Sequence, residues 1–305
     1  MKKRRKACFA SFWQKGDLTL KNDISVPYRT LGSYLKETYG CEVGKICIDG
    51  GFTCPNRDGT VGYGGCMFCG ERGAGEHLRE GVSIEEQVSS FFSRPHRQKK
   101  FIAYFQNFTN TYAPADILRK RYTAALGDSR VIALAVGTRP DCIDGDVIRV
   151  LLEMKKRGDV WVELGLQTAH DDVAARFGRG YPTAVFGQAA NLLREAGIPT
   201  VVHLMVGLPG DSPEGVRETA DDVATLSPFG VKIHSVYVMD GTRLADLLRT
   251  GGYTPVTMEE YVSAVTYILS HLPTETVIHR LTGDCPDGRL LAPAFAADKA
   301  AVLRA

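Results

Sequence analysis

Net charge is what this sequence has least of: 37 basic residues against 35 acidic ones leave +2 over 305 positions. That balance excludes a molecule that holds nucleic acid by bulk charge alone. No apolar run reaches the ~18–20 residues that a membrane span needs. No continuous apolar segment follows the basic N-terminus, so a secretory signal is not expected either. Eight cysteines are too few for a disulfide scaffold of this length. No internal repeat, low-complexity segment or clear linker divides the chain. What remains is an ordinary globular composition, 44% hydrophobic and 24% charged, with length for one large core. The expected compartment is the cytoplasm. Two basic clusters, "KKRRK" (Lys2–Lys6) and "RPHRQKK" (Arg94–Lys100), are candidate phosphate contacts or solvated surface.

Apolar runs recur with a rhythm. Lys45–Phe52, Lys100–Phe108, Val131–Thr138, Val160–Thr168, Thr200–Leu208 and Val231–Met239 are short and rich in Val and Ile. They read as buried parallel strands, with a weaker seventh at Thr276–Leu281. Helical patterns fall between them, opened by Ser83 with Glu86 three residues on, Pro114, Asp144, Ser212 with Pro213, and Thr257 with Glu260. Alternating strands and helices predict an α/β fold of parallel βα units. Six strong strands predict a partial (βα)6 TIM-like barrel. Residues 26–272 form its core, 1–25 a basic N-terminal extension, and 273–305 a C-terminal extension packing on the barrel. Sites on such folds gather at the C-terminal ends of the strands.

The loop after the first strand reads "CPNRDGTVGYGGCMFC". Cys66 and Cys69 are two residues apart, so one tight turn can aim both at one centre. Cys54 lies before them, with eleven residues between it and Cys66. Gly62, Gly64 and Gly65 let the backbone come close to charged sulfur. Three thiolates on a four-iron cluster leave one iron open for a ligand that reacts. A structural zinc that recruits His77, or free buried thiols, are the alternatives. Cys8, Cys41, Cys47, Cys142 and Cys285 are read as structural.

A three-cysteine loop after the first strand of such a barrel, with Phe68 before the last cysteine, resembles the radical S-adenosylmethionine (SAM) superfamily. The long first gap resembles its Elp3-like branch. "YFQNFTNTYAP", "VGTRPDC", "VWVELGLQTAHD", "HLMVGLPG", "GVKIHSVYVMDGT" and "VIHRLTGD" together resemble the YhcC/YtqA (MnmL-like) group, over about residues 25–295.

The resemblance implies a [4Fe–4S] cluster held by Cys54, Cys66 and Cys69, with SAM on the open iron. It implies reductive cleavage of SAM to a 5′-deoxyadenosyl radical. An electron donor of flavodoxin or ferredoxin type is implied with it. The expected SAM contacts are Phe68, Asn110, Arg139, Glu163, Gln167, Gly207 and Pro209. The loop "TNTYAP" has no acid where the superfamily places a contact to the SAM amino group, and Thr109, Asn110 and Thr111 offer neutral oxygens there. Arg139, oriented by Asp141, suits a carboxylate or phosphate. Glu163, Gly165 and Gln167 share one strand face by the period of two. Glu163 is read as a SAM contact or as half of an ion pair, with Arg139 as the partner considered. The implied substrate is tRNA, with conversion of a 5-carboxymethylaminomethyl wobble uridine to the 5-aminomethyl form. The aromatics of "FTNTY" are expected to be exposed for splayed bases. A radical enzyme acting on a small metabolite and a non-catalytic RNA-binding module are the alternatives.

Overall fold

The computed structural model describes residues 26–305, apart from 74, 76, 77, 79, 80, 284, 286 and 287. Lys2–Lys6, Cys8, His77 and the 1–25 extension therefore lie outside the described residues. The Val- and Ile-rich runs form strands, trimmed at their ends by the Gly, Asp and Asn of the following loops. The strands are β1 Arg29–Thr30, β2 Val43–Ile48, β3 Lys100–Phe105, β4 Val131–Thr138, β5 Asp159–Gln167, β6 Thr200–Val206, β7 Gly230–Ser235, β8 Val238–Met239, β9 Val277–Arg280 and β10 Leu290–Ala292. The helices are α1 Leu31–Tyr39, α2 Ile84–Phe92, α3 Ala115–Ala125, α4 Gly145–Lys155, α5 Asp171–Phe177, α6 Thr183–Glu195, α7 Pro213–Thr225, α8 Arg243–Arg249, α9 Met258–His271 and α10 Lys299–Arg304.

Eight strands form one sheet in the order β1-β9-β7-β6-β5-β4-β3-β2, every neighbouring pair parallel. The sheet is curled. Lys232 on β7 reaches the Tyr104 hydroxyl on β3 at 3.0 Å, although four strand steps separate them. On a flat sheet that separation is about 19 Å. The result is the expected half-barrel. The weak seventh run stands inside the sheet as β9, between β1 and β7. The single expected strand Val231–Met239 breaks after Ser235. Val238–Met239 turns away to pair antiparallel with β10.

Helix starts follow their capping residues. Ser83, Asp144, Ser212 and Thr257 each accept an amide of the first turn. Thr257 and Glu260 complete a reciprocal capping box. Thr257→Ala is expected to cost about 1 kcal/mol, a fall of roughly 2–4 °C in melting temperature for a chain of this size. Thermal unfolding checks this, and an unchanged midpoint would show that α9 is held by packing alone.

Two cores flank the sheet. The larger lies between its outer face and the helices, with Ile46, Phe105, Val136, Val162 and Leu204 at its centre. The smaller closes the lumen floor, where Leu35 of α1 packs on Ile102, Tyr104, Ala133, Trp161 and Val201. A third apolar cluster lies near the mouth and includes Phe177, Leu208, Val236 and Leu244, with Cys66, Met67 and Phe68 packed on it.

Candidate active site

The cysteine loop leaves β2 at the open end of the barrel and is pinned from several sides. Cys54 O accepts the amides of Arg57 at 2.8 Å and Asp58 at 3.2 Å. The Cys69 amide closes a turn on Cys66 O at 3.0 Å. The Met67 amide donates to Phe177 O at 2.8 Å, and Met67 O accepts from Leu244. Gly64 and Gly65 both have φ of +77°, a left-handed pair that other residues adopt at a cost. Arg57 donates to Gly70 O, and Arg243 donates to Gly65 O. Asn56 Nδ2 donates to Gly178 O at 2.6 Å and lies 3.7 Å from Cys66 Sγ. Burial, then the neighbouring Cys69, pushes the Cys66 thiol up to about 12, with Cys54 adding to the effect. Cys54 and Cys69 are thus within electrostatic reach of Cys66. Arg139 is within electrostatic reach of Cys66. Among the described residues no three His, Cys, Asp or Glu side chains group as ligands of a single ion. A cluster with one sulfur per iron suits sulfurs that are neighbours without converging on a point.

Phe68 tilts against Phe177, 5.4 Å between ring centres. Gly207 has φ of +92°, and its carbonyl takes the Tyr253 hydroxyl at 2.6 Å. Pro209 is buried beside it. Gln167 has φ of +65° and sits on a bulge that shifts the pairing between Gly165 and Gln167. Its amide therefore folds back over Gly165, where a Cβ would lie 2.3 Å from Nε2. Its Oε1 meets the Tyr181 hydroxyl at 3.3 Å. The simple two-residue alternation expected for Glu163, Gly165 and Gln167 stops at this bulge.

Three expectations change. Arg139 spends its guanidinium internally: Asp141 takes Nε and Nη2 at 2.9 and 2.7 Å, and Arg179 O takes Nη1 at 2.8 Å. Glu163 does not pair with Arg139. It lies fully buried in the lumen against Lys232, with His203 Nε2 at 3.0 Å from Oε2 and Trp161 Nε1 donating to Oε1 at 3.4 Å. Burial alone would raise its carboxyl, but Lys232, His203 and Lys45 outweigh burial and hold it well below the usual range. A direct cofactor contact would have to displace these partners. Asn110 ties loop to sheet, donating to Gly137 O at 2.7 Å and Phe105 O at 3.2 Å, while its backbone carbonyl takes the Tyr122 hydroxyl at 2.5 Å. Thr109 Oγ1 and Asn110 Oδ1 remain without a partner among the described residues.

The "FTNTY" aromatics are half-buried rather than exposed. Arg57 lies 5.3 Å over Phe108, and Tyr112 OH bonds Thr60 at 2.8 Å. The exposed aromatic at the mouth is Tyr63, 80% accessible. The run Arg94–Lys100 leads into the start of β3, at the opposite end of the barrel, where Arg97 pairs with Glu42 and His96 stacks on Phe91.

Sequence reasoning passed over Arg179. Only 1% exposed, it donates to the carbonyls of Leu166, Thr168 and Tyr181 and to Asp171 and Thr183, so it binds the loop after β5 together. An arginine between two glycines, "GRG", was the available signal. The lumen lysines were legible only as strand residues of charged type.

Residues 54–223 match the Radical SAM superfamily and 228–305 the Radical_SAM C-terminal domain. YtqA of Bacillus subtilis is 37% identical over 284 residues, 91% of this chain and 88% of that protein. YhcC of Escherichia coli K12 is 36% identical, covering 86% and 85%. A tRNA uridine(34) acetyltransferase of Methanocaldococcus infernus is 30% identical over 161 residues, 52% of this chain but 29% of that protein. Among solved structures, Elp3 of the same organism superposes with a TM-score of 0.63 at 19% identity, covering 82% of this chain and 58% of the other.

Proposed function

The chain belongs to the radical SAM superfamily, and on that premise we propose that it modifies tRNA, trimming the C5 side chain of a wobble uridine from 5-carboxymethylaminomethyl to 5-aminomethyl. It is a radical SAM enzyme, and its cofactors are a [4Fe–4S] cluster and SAM. When bound, these supply a 5′-deoxyadenosyl radical after one-electron reduction, here from a donor of flavodoxin or ferredoxin type. Among the described residues no helix is long and apolar enough to cross a membrane, and the tRNA reading goes with a cytoplasmic location.

In this reading Cys54, Cys66 and Cys69 hold the cluster. Phe68, resting on Phe177, covers its flank and excludes water. Gln167, Gly207 and Pro209 shape the mouth for the adenosine, with backbone at Gly207 able to approach a flat ring. Thr109 and Asn110 carry unspent acceptors for an ammonium. Arg139 and Glu163 act as positioning residues, Arg139 by fixing Asp141 and the carbonyl of Arg179, Glu163 by setting the lumen charges. Hydrogen abstraction from the carbon beside nitrogen would make the C–N bond of the side chain cleavable.

The likeness over half the chain to a tRNA uridine(34) enzyme carries the substrate reading. Nucleoside mass spectrometry tests it. Unmodified-pathway tRNA bearing 5-carboxymethylaminomethyl uridine, incubated with reconstituted enzyme, SAM and reductant, is expected to gain the 5-aminomethyl nucleoside. SAM cleavage with no change in any tRNA nucleoside would move the substrate to a small metabolite.

A further inference from the structure

Among the described residues, Glu163, Lys45, Lys232, His203 and His279 face one another in the lumen beneath the cysteine loop. Glu163 is fully committed: Oε2 serves Lys232 and His203, and Oε1 faces Trp161 Nε1 at 3.4 Å and His279 at 3.9 Å. The pair of Glu163 and Lys232 is neutral as a unit. Lys45 is left over. It points into the same lumen from β2, with its ammonium 4.9 Å from the centre of the Tyr104 ring that Lys232 also faces, at 4.3 Å. Among the described residues Lys45 has no hydrogen-bond or ion-pair partner. Burial pulls its ammonium down from the ordinary value, Glu163 opposes this, and the charge of Arg280 adds to the pull. The residue is nonetheless partly accessible. An ammonium enclosed in protein without an anion is costly unless something completes it.

We propose that Lys45 forms the subsite that receives a carboxylate of the substrate. The position suits this. Lys45 stands three residues below the end of β2, about 10 Å at strand rise, and the same strand leads into Cys54. A carboxylate held there leaves the atoms a few bonds away directed at the mouth. Ile102, which pairs with Lys45, and Ala133 beside it pack with Leu35 to close the floor at this depth. An RNA backbone phosphate cannot enter a curled sheet, whereas a side chain ending in an acid can. For a tRNA substrate this inference rests on the proposed function, and names what the enzyme reads in it: the acid of the carboxymethyl group, which the product lacks.

Two arms separate the inferences. In the first, holoenzyme with SAM is titrated with anticodon stem-loops bearing the acid and the aminomethyl side chain. Wild type is expected to prefer the acid by roughly tenfold, Lys45→Met to lose the preference, and Lys45→Arg to keep most of it. Lys45→Met with the preference intact overturns the proposal. In the second arm, labelling of Lys45 in wild-type holoenzyme by acetic anhydride is followed by mass spectrometry. N-acetylglycine is expected to slow it several-fold, N-acetylglycinamide not at all, with exposed Lys36 as the reference. Equal labelling with acid and amide overturns the proposal. If neither stem-loop binds wild type, the tRNA reading fails and the second arm alone decides the carboxylate site.

Discussion

Cys66→Ala is expected to yield a folded protein that, after anaerobic reconstitution, cleaves SAM at least about a thousandfold more slowly than wild type, roughly 4 kcal/mol of barrier at ~1.4 kcal/mol per decade. The loop around Cys66 is held by contacts that do not need the thiol: Asn56 to Gly178 O, Met67 to Phe177 O and Arg243 to Gly65 O. Folding should therefore survive while iron is lost, because two thiolates cannot replace three on a cluster whose fourth iron is open. Iron content, colour and 5′-deoxyadenosine release are the measurements. Cys142 supplies the control. Its thiol is within electrostatic reach of Cys54 and lies 3.8 Å from Asp141 Oδ1, which makes it a described thiol outside the triplet on which a fourth-ligand role can be tested. Cys142→Ala is expected to keep about four irons and full SAM cleavage. Loss of iron from the Cys142 variant would mean a saturated cluster and would remove the open corner from the scheme.

The half-barrel was legible because its strands are buried on both faces, and such strands show as short Val- and Ile-rich runs. Val131–Thr138 was read to the residue for that reason. The caps at Asp144 and Thr257 were legible because a single side chain decides each. What failed to show was anything set by three-dimensional closure. Gln167 leaves the lumen alternation through a bulge and a left-handed φ, and nothing in "ELGLQT" marks where a strand will slip. Two seven-residue helices, α5 and α8, are too short for periodicity to separate from loops. The cysteine triplet was visible as spacing, yet the arginines that flank it come from loops after β4 and β5. The partner of Glu163 was not legible for a related reason. A strand glutamate announces that it needs a cation, but which strand supplies it depends on how far the sheet curls.

That curl carries the second large effect. Glu163→Gln is expected to destabilise the protein by about 3 kcal/mol or more, although it removes no volume. The carboxylate is 1% exposed and sits against Lys232, which is 2% exposed. Burial already pulls the Lys232 ammonium down to about 7, with Glu163 working against that pull. Deleting the negative charge removes what holds Lys232 charged, so the lysine either keeps an uncompensated ammonium beside Lys45, with only the Tyr104 hydroxyl and an amide to face, or gives up its proton at a cost to folding. Changing both members is a different experiment. Glu163→Gln with Lys232→Met removes the uncompensated charge, and the double variant should recover most of the loss. The pH dependence carries a sign. The folded Glu163 carboxyl is held below its unfolded value, so its contribution is full above the ordinary glutamate range near ~4.3 and is lost as pH falls through the depressed folded value. The gap between wild type and Glu163→Gln should persist at mildly acidic pH and close only in stronger acid. Urea unfolding midpoints across pH measure it. A single variant within about 0.5 kcal/mol of wild type would show that water already neutralises the lumen charges, and that the curled sheet is held by its apolar floor without help from the ion pair.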